Sequence, residues 1–200
     1  MKLSIIYAYR NRDIQRIWNS LNSLKMQTLD ATSFEVIFVD YGSEHDIASK
    51  IKTEVESFSF ASYHYIAHPG LLWNKSKALN YGASKANGDF IFVADVDICF
   101  QKKAVSTILR CQTSDGYTLY KLSYLKEKVQ QSVIQTLIIT ESHIKHHGSV
   151  NGMVLVSKEN FFKVNGYDEF YHFYGSEDVD FYQRLKNSGL EEKINRETLF

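Results

Sequence analysis

Four short apolar runs, Leu3–Tyr7, Glu35–Val39, Ser62–Ile66 and Phe90–Ala94, recur through the first half of the chain with segments of helical length between them. No other feature restricts the fold as much. Runs of strand length rich in Ile, Val, Phe and Tyr suit strands buried on both faces, as in the middle of a parallel sheet. In the intervening segments, Ile14, Ile17, Leu21 and Leu24 recur at helical spacing across Asp13–Gln27. Asp46–Ser57 carries Ile47, Ile51 and Val55 on one face, and Ser76–Ala86 is short and rich in alanine. A β-α-β-α-β-α-β order calls for right-handed crossovers and a doubly wound α/β sheet with helices on both faces.

After Asp97 the rhythm changes. Lys102–Gln112 reads as helix, and Thr118–Leu125 alternates like an antiparallel strand. Lys126–His147 reads as helix and then loop, Met153–Ser157 as strand, and Lys158–Val164 as a short helix. Glu177–Asn187 reads as a helix closed by Gly189, with Ser176 as its N-cap. The chain stops at Phe200 in mid-pattern, as expected of a domain cut from a longer protein.

Charge and targeting signals exclude several classes. Lys plus Arg and Asp plus Glu number 23 each, whereas a nucleic-acid binder carries a basic excess. The same balance gives no general attraction to an anionic membrane surface. No run approaches the ~18 apolar residues of a transmembrane helix, and the N-terminus lacks a signal-peptide layout. Cys99 and Cys111 form no framework, which fits two core thiols in a reducing compartment. The expected location is the cytoplasm, with peripheral contact at the inner membrane as the variant of that reading.

In an open α/β sheet, ligands gather at the carboxyl ends of the strands, so the residues after each run carry the chemistry. Neither a GxGxxG nor a GxxxxGK[ST] occurs, which disfavours a dinucleotide dehydrogenase or a P-loop enzyme. After the first run come Ala8, Tyr9, Arg10, Asn11 and Arg12, whose guanidinium groups suit a diphosphate. After the second comes Asp40, able to accept from a uracil N–H or a ribose hydroxyl, beside Gly42. After the fourth comes Asp95-Val96-Asp97. In an extended chain residues two apart point the same way, so two carboxylates converge past a buried strand. Such hard oxygen donors suit Mg2+ or Mn2+ with a diphosphate completing the shell.

Other clusters are less specific. Trp73-Asn74-Lys75 is placed over the nucleotide, with Lys75 as a second cation near the phosphates. Glu177, Asp178 and Asp180 stand beside Gly175 among Tyr167, Phe170, Tyr171, Phe173 and Tyr174. Aromatic faces with carboxylates between them make a good surface for sugars. His143, His146 and His147 read as solvated loop histidines.

Together these motifs resemble the family 2 type of glycosyltransferases. Several are also similar to motifs of the β-1,4-galactosyltransferases. The segment from Ile5 to Arg12 resembles a Phe-Arg-Asn-Arg stretch that binds UDP. Trp73–Gly82 looks like the nucleotide-side helix that follows. Asp95-Val96-Asp97 matches the family's DVD. Asn165-Gly166-Tyr167 and Gly175-Ser176-Glu177-Asp178-Val179-Asp180 resemble the acceptor motif, a Gly-Gly-Glu-Asp-Asp-Asp run. The likeness runs from Ile5 to about Arg184. Ala8 stands where a proline is expected, and Ser176 and Val179 replace a glycine and an aspartate. The family's later metal-binding histidine falls beyond Phe200.

The resemblance implies the GT-A fold, a Rossmann-like, mostly parallel central sheet in one domain. Residues 1–97 form its nucleotide-binding lobe and 98–200 its acceptor-binding lobe. It implies an inverting, metal-dependent hexosyltransferase moving a sugar from a UDP-sugar to a saccharide or glycolipid acceptor, in polysaccharide or glycoconjugate synthesis. Asp178 is then the general base and Glu177 holds the acceptor with Tyr174, Gly175 and Asp180. Asp97, with Asp95, holds Mn2+ or Mg2+. Ala8, Tyr9, Arg10, Arg12, Asp40, Lys75, Asp95 and Val96 contact the donor. Two alternatives stand beside it. A sugar nucleotidyltransferase would show a glycine-rich basic loop after the first strand, and Ala8–Arg12 has no glycine. A non-catalytic carbohydrate-binding module with a decayed fold would bind neither UDP nor metal, and the intact DVD and Glu177-Asp178 pair weigh against it.

Overall fold

Residues 2–67, 72–172 and 175–199 are described by a computed structural model. Seven strands are β1 (Leu3–Tyr9), β2 (Phe34–Tyr41), β3 (Ala61–Ile66), β4 (Phe90–Ala94), β5 (Gly116–Leu125), β6 (Ile144–Ser157) and β7 (Glu191–Leu199). They form one sheet in the order β3-β2-β1-β4-β6-β5-β7. The pairs β1–β2, β1–β4, β2–β3 and β5–β7 are parallel, and β6 runs antiparallel to both β4 and β5. The sheet is therefore mostly parallel, as the alternating runs require. It is also continuous across Asp97, because β4 pairs with β6.

Alternation along the strands divides the core into two layers. Leu3, Ile5, Tyr7 and Tyr9 of β1 face one side with Val36 and Phe38 of β2. There they meet Ile17, Leu21 and Leu24 of α1 (Ile14–Lys25), Ile51 and Val55 of α2 (His45–Glu56), and Val105 and Ile108 of α4 (Ala104–Arg110). Ile6, Ile37 and Val39 face the other side. They pack under Ala78, Leu79 and Ala83 of α3 (Lys75–Lys85), Phe161 of α6 (Lys158–Lys163), and Phe181 and Leu185 of α7 (Glu177–Asn187). Each such side chain contributes about 1.5–3 kcal/mol on burial. An exposed pair such as Lys52–Glu56, at 3.9 Å, adds at most about 1 kcal/mol. The two apolar layers hold the fold.

Local signals explain the helix starts. Asp13 caps α1, accepting from the Gln15 N–H at 2.7 Å, and Asn74 caps α3, accepting from the Lys77 N–H at 2.8 Å. Gly82 lets α3 lie close to the sheet, since a Cβ there would stand 2.5 Å from Ile6 Cγ2.

Three expectations are corrected. Ser176 precedes α7 but makes no side-chain cap bond. Its backbone is left-handed, at φ 72, whereas a capping hydroxyl is aimed from an extended backbone. Lys126–His147 holds a short helix, α5 (Gln131–Thr136), and a 3-10 turn at Glu141–His143. Strand β6 begins at Ile144 rather than Met153. Its polar first half pairs with the end of β5 through shifted registers, so no apolar run marks it. Finally, β7 adds a strand beside β5 that its sequence, Glu191-Glu192-Lys193-Ile194-Asn195, conceals. Charged residues are the usual dress of an edge strand.

Candidate active site

The carboxyl ends of β1 and β4 open onto a cleft of about 680 Å³. Its walls come from six places: Ala8, Arg10, Asn11 and Arg12 after β1; Asp95, Val96, Asp97 and Ile98 after β4; Trp73 and Lys75 at the start of α3; Leu122 and Tyr124 in β5; Gly152 in β6; and Gly175, Glu177 and Asp178 at the start of α7. The fold thus brings together residues as far apart in the chain as Arg10 and Asp178.

Behind the DVD stands a turn rather than an extended strand. Val96 packs into the core while Asp95 and Asp97 both line the cleft. Each carboxylate already faces a cation. Asp97 Oδ2 lies 3.3 Å from Arg16 of α1, with the arginine side chain 63% and the aspartate 31% exposed. Asp95 Oδ1 accepts from Lys75 Nζ at 3.0 Å. That ammonium is also 3.9 Å from Glu177 Oε1. Burial by itself would lower the Lys75 pKa. Asp95, through charge and hydrogen bond, then Glu177 and Asp178 outweigh burial, and the pKa is raised. Lys75 therefore lines the cleft with its ammonium on Asp95.

The loop after β1 is braced from below. Asn11 adopts a left-handed backbone at φ 50, which asparagine tolerates. Its N–H donates to Ser43 Oγ at 2.9 Å and its Oδ1 accepts from the Glu44 N–H at 3.1 Å. Tyr9 is buried, and its hydroxyl donates to the Arg12 carbonyl at 2.9 Å. Burial and then the nearby Asp40 push that phenol up to about 12. Asp40 is fully buried and accepts from the Ser43 N–H at 2.9 Å and the Tyr63 hydroxyl at 2.8 Å. Tyr9 and Asp40 were expected to contact the nucleoside. Their side chains instead carry the arginine loop from inside the fold.

The acceptor-side residues divide likewise. Gly175, Glu177 and Asp178 reach the cleft. Asp180 does not line it: its carboxylate pairs with Arg184 at 2.8 Å, and Arg184 also donates to the Gly166 carbonyl at 2.6 Å. Tyr174 lies outside the described residues. The turn at Asn165–Tyr167 is clamped by α3, because Asn80 accepts from the Tyr167 N–H at 2.8 Å and donates to its carbonyl at 2.9 Å. Asn74 donates to the Glu169 carbonyl at 2.8 Å. Beneath the acids, the buried hydroxyls of Tyr167 and Tyr182 have no hydrogen-bond partner among the described residues. Burial, then the neighbouring charges, raise both phenols far above their ordinary range.

A divalent cation fits Asp97 only if a diphosphate supplies most of its shell. Among the described residues no three His, Cys, Asp or Glu side chains converge as a metal site. One or two carboxylates at the mouth of a cleft are nevertheless the usual protein share of a Mg2+ site, with substrate phosphates completing it. Asp97 meets that description, and Asp95 retains the oxygen that Lys75 leaves open.

Residues 4–162 match the glycosyl transferase family 2 description. The chain belongs to glycosyl transferase family 2. Residues 136–198 also match the N-terminal domain of galactosyltransferase. Among solved structures, S. aureus TarS 1–349 aligns at a TM-score of 0.70 and 20% identity, covering 98% of this chain and 58% of that one. The mannosyltransferase PcManGT from Pyrobaculum calidifontis, in complex with GDP-Man and Mn2+, aligns at 0.69 and 15% identity, covering 99% and 56%. The catalytic domain of Drosophila β1,4-galactosyltransferase 7, in complex with xylobiose, aligns at 0.61 and 17%, covering 99% and 67%. These likenesses establish the GT-A fold. TarS has also been solved with UDP-GlcNAc. A probable glycosyltransferase from Sulfolobus acidocaldarius is 35% identical over 95 residues, 48% of this chain and 20% of its own length. The family 2 chain thus spans a fifth of that relative, about a third of TarS, and little over half of TarS 1–349 and PcManGT.

Sequence reasoning about this family 2 domain missed three contributors. Gly152 was marked only by an Asn-Gly pair before an apolar run. A positive φ of 65 and the space beside Lys75 and Asp178 explain the glycine. Arg16 had no signal, being one helical residue among several charged ones. Tyr124, which lines the cleft, is stacked on His146 with ring centroids 4.5 Å apart. His147 bonds Ser123 at 2.6 Å and Glu141 at 3.3 Å. His146 and His147 stand on β6 rather than in a loop, exposed to solvent while they make these contacts. No helix among the described residues is long and apolar enough to cross a membrane.

Proposed function

We propose that this family 2 chain transfers a hexose from a UDP-sugar to an acceptor hydroxyl with inversion at the anomeric carbon. The observation that carries the reading is the meeting of Arg10, Arg12, Asp95 and Asp97 with Glu177 and Asp178 in one cleft. Cations and hard oxygen donors lie on its nucleotide side, and two carboxylates lie on its other side.

The residues divide the work. Arg10 and Arg12, whose planar forks match phosphate oxygens, hold the diphosphate. Asp97, with Asp95 beside it, holds Mn2+ or Mg2+, which when bound supplies positive charge to the departing diphosphate. Trp73, on the cleft wall, offers an aromatic face to the nucleotide, and the 83% exposed Phe170 offers one to a saccharide or glycolipid acceptor. Glu177 orients the acceptor. Asp178 takes the proton from the attacking hydroxyl. As that oxygen bonds to the anomeric carbon, the bond to the phosphate oxygen breaks and its electron pair leaves with UDP. A cytoplasmic role in polysaccharide or glycoconjugate synthesis fits this chemistry.

Calorimetry with UDP, GDP and ADP, each with and without Mn2+, tests the donor side. UDP is expected to bind tightest and more tightly with metal, and Asp97→Ala is expected to remove the metal enhancement alone. Equal affinity for all three nucleotides, unaffected by chelator, would sink the reading. A panel of UDP-sugars then identifies the donor by released UDP.

A further inference from the structure

We infer that Lys75 is a positioning residue for the acceptor-side carboxylates rather than a ligand of the donor phosphates. The inference rests on the transferase reading above and deepens it.

Lys75 opens α3, whose start is fixed twice by Asn74, once to the Lys77 N–H and once to the Glu169 carbonyl. Its stem is largely covered, with 21% of the side chain exposed, so the ammonium is held in one place at the cleft wall. Two carboxylates reach it. Asp95 Oδ1 is at 3.0 Å and Glu177 Oε1 at 3.9 Å. Asp178 acts on it from further away, through charge.

An ammonium has three donors and no acceptor. A phosphate reaching Lys75 would have to displace a carboxylate already held there. Without that cation the carboxylates of Asp95 and Glu177 repel, and the freer one turns away. An acceptor anchor must keep its place. Lys75 ties Glu177 to Asp95, a residue anchored at the end of β4, so the start of α7 that carries Glu177 and Asp178 is referenced to the donor side of the cleft.

The test uses Lys75→Met, which keeps the length and removes the charge, and Lys75→Arg, which restores the charge. In Lys75→Met the UDP dissociation constant with Mn2+ is expected to stay within about threefold of the parent. Turnover on acceptor is expected to fall by about 10–100-fold, the usual effect of losing a partner behind a reacting group. Lys75→Arg is expected to recover part of that loss. A UDP affinity weakened tenfold, with transfer falling only in proportion, would return Lys75 to the phosphates and overturn the inference. A parent chain that binds no UDP and turns over no UDP-sugar refutes the transferase reading instead. The positioning claim is then still decided by a double-mutant cycle on melting temperature between Lys75→Met and Glu177→Gln. The cost of Glu177→Gln is expected to shrink in the Lys75→Met background, and strict additivity would overturn the link.

Discussion

Replacing Asp178 by asparagine is expected to separate catalysis from stability. The side chain has two structural roles, and both are small. It is one of three acids in the first turn of α7, where a negative charge is worth about 0.3–1 kcal/mol. Its Oδ1 accepts from the Val179 N–H at 2.9 Å, a bond that the asparagine oxygen can keep. The melting temperature should therefore fall by no more than about 2–4 °C, the shift that 1 kcal/mol produces in a chain of this size. The catalytic role is larger. Loss of a general base costs about 10²–10⁴ in rate, or roughly 2.7–5.4 kcal/mol of barrier at 1.36 kcal/mol per decade. UDP affinity should stay within a few-fold, because the arginines proposed to hold the diphosphate are carried by the loop after β1. Initial rates with the donor found by the panel, UDP calorimetry and thermal melting supply the three numbers. Glu177→Gln should lose less turnover than Asp178→Asn. Turnover retained within threefold in Asp178→Asn would remove the base assignment. A melting temperature lowered by tens of degrees would show that the acid holds the fold instead.

Two further substitutions probe the scaffold, each read by thermal melting. Gly82→Ala gains about 1 kcal/mol of helix propensity, but its methyl would meet Ile6 Cγ2 at 2.5 Å and Val39 Cγ2 at 3.2 Å. Overpacking of that kind costs about 1–3 kcal/mol, so a lower melting temperature is expected, and a rise would mean that α3 does not lie as close to the sheet. Tyr167→Phe removes a buried hydroxyl that has no partner among the described residues. Such a group costs about 1–3 kcal/mol, so the variant is expected to melt higher, and a fall would reveal a partner for the hydroxyl.

What the sequence disclosed follows from how each element earns its stability. Strands β1, β2 and β4 are buried on both faces, so their residues are mostly apolar and visible as runs. Strand β7 and the first half of β6 have no such cover, and Glu191, Lys193, His146 and His147 are dictated by solvent and cross-strand partners. The same division applies to the cleft. The DVD and Glu177-Asp178 are legible because they are short, dense and next to recognisable elements. The roles of Tyr9, Asp40 and Asp180 are not, because whether a polar side chain faces a ligand or a neighbour is settled by tertiary packing. Asp40 has Tyr63, twenty-three residues on, to satisfy it, and Asp180 has Arg184 one helical turn away. The partners of Lys75 were hidden for a related reason, since the acids beside it come from the end of β4 and the start of α7.

Helix α3 is fastened at each level: Gly82 against the sheet, Asn80 to the turn at Tyr167, Asn74 to Glu169, and Lys75 into the cleft. A chain fastened in this way has little latitude for acquiring new acceptors through that helix, because any shift would disturb the donor wall as well. Latitude lies in pieces α3 does not hold. One is the β5–β6 ribbon that presents Tyr124, and another is Val179, whose side chain stands 65% exposed beside Asp178. Libraries aimed at changing which hydroxyl is glycosylated should diversify those two places and leave residues 74–82 untouched.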